Sequence, residues 1–299
     1  MPNWSEVLKE IQAYPVKIPF DVVRHKYLKR LHKRTNRNVI SYYSGFLSKP
    51  SVEESQIVDE DKNGFMMAIH HLDRSKGLDL ILHTEGGDGA ATESIVDYLR
   101  RMFGKNIRAI IPQIAMSAGT MVACSCREII MAKHSSLGPV DPQFRGIPAV
   151  GVLEEFARAC REIKSDATKI PIWQAIIGQY RPTFLSQCEN AIRWSHDFVG
   201  KQLENVMFKG DTNPKSKADN IVNLLTDYSG NKSHNRHINI DECRAMGLKI
   251  ISLEDDDMLQ DLVLTLHHCY MHLLQNTLAY KIIENHKGIA LVKNLVQQK

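Results

Sequence analysis

The sequence predicts an α/β fold, in which helices cover both faces of a mainly parallel sheet, and three features of the chain support this prediction. Three short apolar runs, "LDLILHT", "IRAIIP" and "EIIMA", have the length of buried strands. Between them lie two segments of helical character, "AATESIVDYLRRMFG" and "SAGTMVACSC". This alternation is typical of right-handed βαβ crossovers, which build a parallel sheet with helices on its faces.

The other elements follow in order along the chain. The first 37 residues are predicted to form basic helical pieces, and "NVISYYSGFL" follows them as an apolar strand. The turn residues of "EGGDG" end the strand "LDLILHT", and the next helix runs up to Gly104, which suits a helix C-cap. Helices dominate beyond residue 145. The last of them opens with "LEDDDMLQDLV", where the helix dipole favours carboxylates.

The overall charge gives no general sign of a nucleic-acid partner. The 299 residues are 43% hydrophobic and 24% charged, and 38 basic against 34 acidic side chains leave a net charge of +4. The basic residues concentrate at one end, since residues 1–50 hold ten Lys and Arg against three acidic residues. A solvated helix face explains this cluster. The alternative is a surface for an acidic or phosphate-rich partner, or for a membrane.

The sequence favours a cytoplasmic protein without a membrane span. Six cysteines without CxxC spacing, and no apolar signal segment at the N-terminus, fit a reducing compartment. No residue is charged from Ala109 to Cys126, which approaches the length of a membrane span. Pro112, Gln113 and Ser117 interrupt this run, so we expect a buried strand that leads into a buried helix.

Ser117 in this run is a candidate nucleophile. A catalytic serine needs a hydroxyl at a helix N-terminus, backbone N–H groups for a developing oxyanion and a base within hydrogen-bond reach. The first two are available, because Gly86 and Gly87 allow close backbone approach and the N–H of Ala118 can donate at the start of the next helix. The alternative is a serine N-cap beside small packing residues.

Two segments in order resemble a known superfamily. "LILHTEGGDGAATE", followed about 30 residues later by "AMSAGTMVACSCREIIMAKHSSLGPVDPQ", resembles the Clp protease and crotonase superfamily. The likeness is closer to signal peptide peptidase A and closest to the serine dehydrogenase proteinases. It continues through "SHNRHINIDECRAMGLKI" and "LEDDDMLQDLVLTLHH" and so covers nearly the whole chain after residue 35.

The resemblance implies a Clp/crotonase-like fold built from ββα units, with helical additions at both ends. The segments would be a basic helical N-terminal segment (1–37), the peptidase domain (38–252) and a C-terminal helical extension (253–299). The resemblance also implies peptide-bond hydrolysis through an acyl-enzyme on Ser117, with Gly86 and Gly87 as oxyanion glycines. The substrate would be a polypeptide, no cofactor would be required, and the protein would form a homo-oligomer.

The general base is left open by the residues. The Clp protease's histidine would fall near "GPVDP", where Pro139 and Asp141 stand instead. We favour His234, which aligns near the Clp protease's catalytic aspartate and would be oriented by Asp141, so that the two positions are exchanged. The stretch from Leu137 through Gly138 to Asp141 would form one wall of the cleft. The alternative bases are Lys164 and Lys169, by analogy with signal peptide peptidase A, and His134 after the strand "EIIMA".

The sequence also raises the question of a metal site and leaves two rival functions open. His268 and His272 have metal-ligand spacing on a predicted helix, but no HExxH glutamate accompanies them, and we predict no metal site. The rival functions are a crotonase-type acyl-thioester enzyme and a noncatalytic binding or assembly protein on the same scaffold. Sensitivity to fluorophosphonates would separate the peptidase from both.

Overall fold

A computed structural model describes residues 3–227 and 233–296. Its centre is a seven-stranded sheet with the strand order β10-β5-β3-β2-β1-β11-β12. The first five strands of this order are parallel, and β11 and β12 add to them as antiparallel strands. The sheet strands are β1 (Asn38–Ser44), β2 (Leu78–His83), β3 (Ile107–Ile111), β5 (Glu128–Met131), β10 (Ile250–Ser252), β11 (Ala279–Asn285) and β12 (Ala290–Asn294).

Helices cover both faces of this sheet. The helices are α1 (Trp4–Gln12), α2 (Pro19–Thr35), α3 (Asp61–Ile69), α4 (Gly89–Phe103), α5 (Ala118–Cys124), α6 (Ala149–Ser165), α7 (Ile170–Ile177), α8 (Phe184–Gln202), α9 (Pro214–Thr226), α10 (Ile240–Met246) and α11 (Asp257–Asn276). One face packs against α3, α4, α5, α9 and α10, and the other against α2 and α11. The predicted α/β fold and the helical N-terminal addition are therefore confirmed.

The strands are apolar throughout because both of their faces are buried. In β2, Leu80 and Leu82 point into the core beneath α4 and α5, whereas Ile81 points into the core beneath α11. In β3, Ala109 belongs to the core beneath α4 and α5, and Ile110 belongs to the core beneath α11. The run from Ala109 to Cys126 is thus a buried strand and a buried helix. Among the described residues, no helix is both long and apolar enough to cross a membrane.

The C-terminal extension, which we predicted to be helical, also contains two strands. It is helical through α11, but the chain then turns back and forms β11 and β12. The segment "AYKIIEN" pairs antiparallel with β1, and Gly288, with φ +85°, lies between the two new strands. The prediction of a helical extension rested on the carboxylate-rich start of α11. The formation of β11 depends instead on the free edge of β1, with which it pairs. Residues 1–2 and 297–299 of the predicted end segments lie outside the described residues.

Beyond residue 148, three helices, α6, α7 and α8, build a smaller unit. Helices α6 and α8 pack together around Ala149, Val152 and Cys188, with partly buried aromatic residues at the edge of this small core. A two-stranded hairpin, β7 (Gln143–Phe144) and β8 (Ile147–Pro148), leads into α6. Ile172 on α7 is 62% exposed and Ile147 is 47% exposed, so this unit presents apolar side chains to solvent.

Candidate active site

A second, three-stranded sheet brings three distant parts of the chain together. It consists of β4 (Ile114–Ala115), β6 (Ser136–Leu137) and β9 (Ile238–Asn239) in the order β4-β6-β9. The first two are parallel, and β9 runs antiparallel to β6. The residues after β4 and β6 and those before β9 therefore leave the sheet at the same edge. These residues include Ser117, Asp141 and His234.

Ser117 adopts a backbone conformation that is unusual for a serine. Its φ and ψ are 49° and −114°, and it lies directly before helix α5. Its side chain does not cap that helix, so the N-cap alternative does not explain why a serine stands here. A non-glycine residue with such angles stores strain that the surrounding structure must hold, which is frequent at functional sites.

The backbone of Gly86 lies directly against Ser117. A Cβ atom added to Gly86 would lie 2.8 Å from the Cβ of Ser117 and 3.1 Å from the amide nitrogen of Ala118. Gly86 has φ +111° and Gly87 has φ +151°, conformations that L side chains rarely adopt. Only glycine therefore lets this turn approach the serine so closely.

Two backbone N–H groups near Ser117 are available as donors. Gly86 N–H donates to Thr84 Oγ1 at 3.1 Å, and Gly119 N–H donates to the carbonyl of Met116 at 2.7 Å. The N–H groups of Gly87 and Ala118 have no acceptor in the part of the chain that the structure describes. Free amides beside a serine hydroxyl are the donors that an oxyanion requires.

Asp141 and His234 form a hydrogen-bonded pair. His234 Nδ1 lies 2.7 Å from Asp141 Oδ1, and the Asp141 side chain is 2% exposed whereas that of His234 is 22% exposed. A carboxylate accepts a hydrogen bond from an Nδ1–H group, and in that tautomer of a neutral imidazole Nε2 carries the lone pair. The pair thus has the form of a base that is oriented by a buried acid. Ser117 Oγ and His234 share no hydrogen bond among the described residues.

Thr120 links the loop that carries Asp141 to the segment around Ser117 (residues 115–120), called the serine segment below. The buried hydroxyl of Thr120 lies 2.9 Å from the carbonyl oxygens of both Ala115 and Gly138, and Gly138 N–H donates to it at 3.0 Å. Leu137 and Gly138 are buried, and a Cβ on Gly138 would lie 2.6 Å from Met116 Cε. The predicted wall therefore lies beside the residue that precedes Ser117.

The other candidate bases lie in different surroundings. Lys164 is exposed near the end of α6, and Lys169 pairs with Glu162 at 3.3 Å. His134 is exposed, with Nε2 3.0 Å from the carbonyl oxygen of Pro112. None of the three has a hydrogen bond to Ser117 or Asp141 within the described ranges.

Two supporting residues had no signal in the sequence. Thr84 accepts from Gly86 N–H through its hydroxyl, and its backbone pairs with Ile114 and Met116. Ile57 pairs with the turn around Gly86 and Gly87, called the glycine turn below. Its N–H donates to Gly86 O at 2.8 Å, and its carbonyl accepts from Asp88 N–H at 2.9 Å. Such contacts depend on the meeting of distant segments, which no local pattern encodes.

The histidines of α11 do not form a metal centre. Across residues 3–227 and 233–296, no group of three His, Cys, Asp or Glu side chains is arranged to hold a metal ion. His272 Nε2 instead lies 3.0 Å from the carbonyl oxygen of Trp4, and the two rings are 3.9 Å apart. His268 also contacts Trp4, in an edge-to-face arrangement with ring centroids 5.6 Å apart.

A basic groove lies between α2 and α11. It encloses about 720 Å³, and its lining residues are Tyr27, Arg30, Lys33, Arg34, Met258, Asp261, Leu262 and Thr265. Met258 is 62% exposed and Arg34 pairs with Asp256 at 2.7 Å. The predicted cluster of basic residues therefore forms the rim of a partly apolar depression.

The sequence match to a family model places the chain in the ClpP-like superfamily, and the parallel sheet and the strained Ser117 beside Gly86 agree with it. Residues 12–272 match the family described as ClpP-like SDH-type serine proteinase, and the chain belongs to that family. The resemblance to the serine dehydrogenase proteinases is thereby confirmed. The closer relation to signal peptide peptidase A stays a prediction.

Two proteins of Methanocaldococcus jannaschii are similar to this chain. "Uncharacterized protein MJ1495" is 31% identical over 194 residues, which cover 65% of this chain and 59% of the relative. "Uncharacterized protein MJ0137" is 28% identical over 234 residues, which cover 77% and 73% of the two chains. The match thus spans less than two thirds of the first relative's length.

Proposed function

We propose that the chain is a serine endopeptidase that hydrolyses polypeptides through an acyl-enzyme on Ser117. The observation that carries the proposal is that a strained serine and a hydrogen-bonded pair, buried Asp141 and partly exposed His234, follow or precede strands at one edge of the small sheet. The free N–H groups of Gly87 and Ala118 support it as oxyanion donors. Membership of a family of serine proteinases supports the same chemistry.

In the proposed reaction, Ser117 Oγ attacks the scissile carbonyl carbon while His234 Nε2 accepts the hydroxyl proton. The N–H groups of Gly87 and Ala118 donate to the carbonyl oxygen as it gains negative charge. The carbon–nitrogen bond then breaks, and His234 transfers its proton to the leaving amine. Water attacks the resulting ester with His234 again as the base, and the acid product and free Ser117 are released.

Asp141 has two roles in this scheme. It holds the proton of His234 on Nδ1, so that Nε2 faces the serine, and it stabilises the imidazolium that forms. The scheme requires His234 Nε2 to come within hydrogen-bond reach of Ser117 Oγ when substrate binds. Catalytic hydrogen bonds often tighten only at that stage.

We propose that the protein acts as a homo-oligomer in the cytoplasm. Membership of a ClpP-like family supports assembly, since members of this superfamily usually form ring-shaped or stacked oligomers, and the exposed Ile147 and Ile172 are available to such an interface. The free thiols of all six cysteines support a reducing compartment. The basic groove between α2 and α11 supports an acidic partner at the N-terminal segment, whose binding would weaken steeply with salt.

The function is tested by hydrolysis of an unstructured protein such as casein, followed by mass spectrometry of the products. We expect peptide products from the unaltered chain and none from Ser117→Ala. Ser125→Ala is the matched control, because Ser125 lies at the opposite end of α5. Equal hydrolysis by Ser117→Ala would contradict the proposal. Turnover of acyl-thioesters by both chains would instead favour the crotonase-type reaction.

A further inference from the structure

A buried lysine and a buried aspartate lie beneath the glycine turn. Lys281 of β11 and Asp61 of α3 are 1% and 0% exposed, and Lys281 Nζ lies 2.9 Å from each carboxylate oxygen. The ammonium also donates to the carbonyl oxygen of Gln56 at 2.5 Å, and Tyr42 OH donates to Asp61 Oδ2 at 2.8 Å. Buried charges are tolerated when they are paired and hydrogen-bonded in this way.

This pair holds the short segment 56–58 from one side. Lys281 binds the carbonyl of Gln56, and Asp61 Oδ2 accepts from the N–H of Val58 at 3.0 Å. Ile57, between these two residues, makes its backbone hydrogen bonds to the opposite side, with Gly86 O and Asp88 N–H. The segment is therefore fixed between the ion pair and the glycine turn.

The orientation of Gly87 depends on this segment. A Cβ on Gly87 would lie 2.3 Å from the nitrogen and 2.5 Å from the oxygen of Ile57, so the two backbones are in direct contact. Because Gly86 O and Asp88 N–H are both bound to Ile57, the peptide planes on either side of Gly87 are fixed. A shift of Ile57 would therefore reorient the N–H of Gly87, which is the proposed oxyanion donor.

We propose that Lys281 is a positioning residue for the oxyanion site, which acts through Asp61 and Gln56 on Ile57 and thereby on the N–H of Gly87. The inference rests on the proposed function. Lys281 lies beyond residue 272, where the family match ends. A C-terminal strand outside the matched region thus contributes to the geometry around Ser117.

A second buried ion pair on the same strand provides the matched control. Glu284 of β11 is 0% exposed and binds Arg24 at 2.8 Å, and it accepts a hydrogen bond from Tyr270. It faces α2 and α11 rather than the segment 56–58. Loss of either pair should lower the stability of the hairpin, but only loss of the Lys281 pair should disturb Gly87.

The experiment compares Lys281→Met and Asp61→Asn with Glu284→Gln, at a temperature where circular dichroism shows each variant to be folded. The first readout is the second-order rate of fluorophosphonate reaction at Ser117. We expect it to fall roughly 10- to 100-fold in Lys281→Met and Asp61→Asn, less than the roughly 10²- to 10³-fold effect of removing a donor outright, because the donor is displaced and not lost. It should be unchanged in Glu284→Gln. Lys281→Arg should recover part of the rate.

The second readout is amide hydrogen exchange at Ile57 and Asp88, which requires no chemistry at Ser117. We expect faster exchange there in Lys281→Met, with unchanged exchange in β2 and β3. Equal slowing of labelling in Glu284→Gln, or unaltered exchange at Ile57 and Asp88, would overturn the inference. If the unaltered chain does not react with the fluorophosphonate, the proposed function is wrong. The amide hydrogen exchange at Ile57 and Asp88 then still tests whether Lys281 positions the backbone at Gly87. If Lys281→Met does not fold, Asp61→Asn decides in its place.

Discussion

His234 Nδ1 lies 2.7 Å from Asp141 Oδ1, although the two residues are 93 positions apart in the chain. The small sheet explains this proximity, because the loop after β6 and the residues before β9 leave it at the same edge. In the proposed mechanism this hydrogen bond sets the tautomer of the imidazole. Its removal should therefore affect catalysis more than stability.

Asp141→Asn should lower kcat by roughly 10²- to 10⁴-fold, the range for loss of an oriented general base. The amide cannot favour the proton on Nδ1 as a carboxylate does, and it cannot stabilise the imidazolium. The measurement is kcat on a peptide substrate, with Asp97→Asn as the control because Asp97 is an exposed residue of α4. Full activity of Asp141→Asn would show that Asp141 does not orient the base.

Gly87→Ala should both destabilise the protein and abolish activity. The added Cβ would lie 2.3 Å from the backbone nitrogen of Ile57, and φ is +151°. We expect a loss of more than about 2 kcal/mol in the free energy of unfolding, since neither the backbone clash nor the conformation can relax cheaply. Urea denaturation measures this loss. Gly104→Ala, with φ +59° and open space around it, is the control and should cost about 1–3 kcal/mol without loss of activity.

Thr120→Val should cost about 1–3 kcal/mol of unfolding free energy, because it leaves the buried N–H of Gly138 without its acceptor. Thr120→Ser keeps the hydroxyl and should lose much less. Because the hydroxyl links the serine segment to the loop of Asp141, Thr120→Val should also lower kcat in protein that is fully folded. A variant with unchanged kcat would limit Thr120 to a structural role.

His83 should make the fold sensitive to mild acid. Complete burial lowers the pKa of His83 to about 3, from an ordinary value near 6.5. Below about pH 6.5 the imidazole of His83 therefore binds a proton in the unfolded chain but not in the folded chain. The free energy of unfolding consequently falls as the pH falls. His83 alone should account for about 2 kcal/mol between pH 7 and pH 5.

His83→Phe tests this assignment, because the ring fits an environment that already contains Tyr43 and Phe46. The free energy of unfolding, measured by urea at pH 7 and at pH 5, should fall less in the variant than in the unaltered protein. The difference between the two chains isolates His83 from the other buried histidines. Parallel losses in both chains would show that His83 does not contribute.

The sequence predicted the parts of the fold that depend on local pattern. The apolar runs of β2, β3 and β5 and the helical period of α4 follow directly from burial on both faces of a sheet. The strands β11 and β12 were missed, because β11 forms only where β1 leaves an edge to pair with. Their pairing is a property of the assembled sheet rather than of the segment "AYKIIEN".

The residues of the candidate site likewise fall into those that the sequence could indicate and those that it could not. The positions of Gly86, Gly87 and Ser117 could be proposed because glycines and a serine follow two successive strands. The pairing of Asp141 with His234 could be proposed only through the resemblance, and their catalytic roles stay predictions. Thr120 and Lys281 could not be found, because a buried threonine or lysine has meaning only through partners that are distant in the chain.

The central claim is that Ser117 is a nucleophile activated by His234. The most direct test is to treat the folded protein with a fluorophosphonate and map the adduct by mass spectrometry. The account predicts an adduct on Ser117 that is lost in His234→Ala and retained in Lys164→Ala, Lys169→Ala and His134→Ala. No adduct on Ser117 in the folded protein, or an adduct that forms equally fast in His234→Ala, would contradict it.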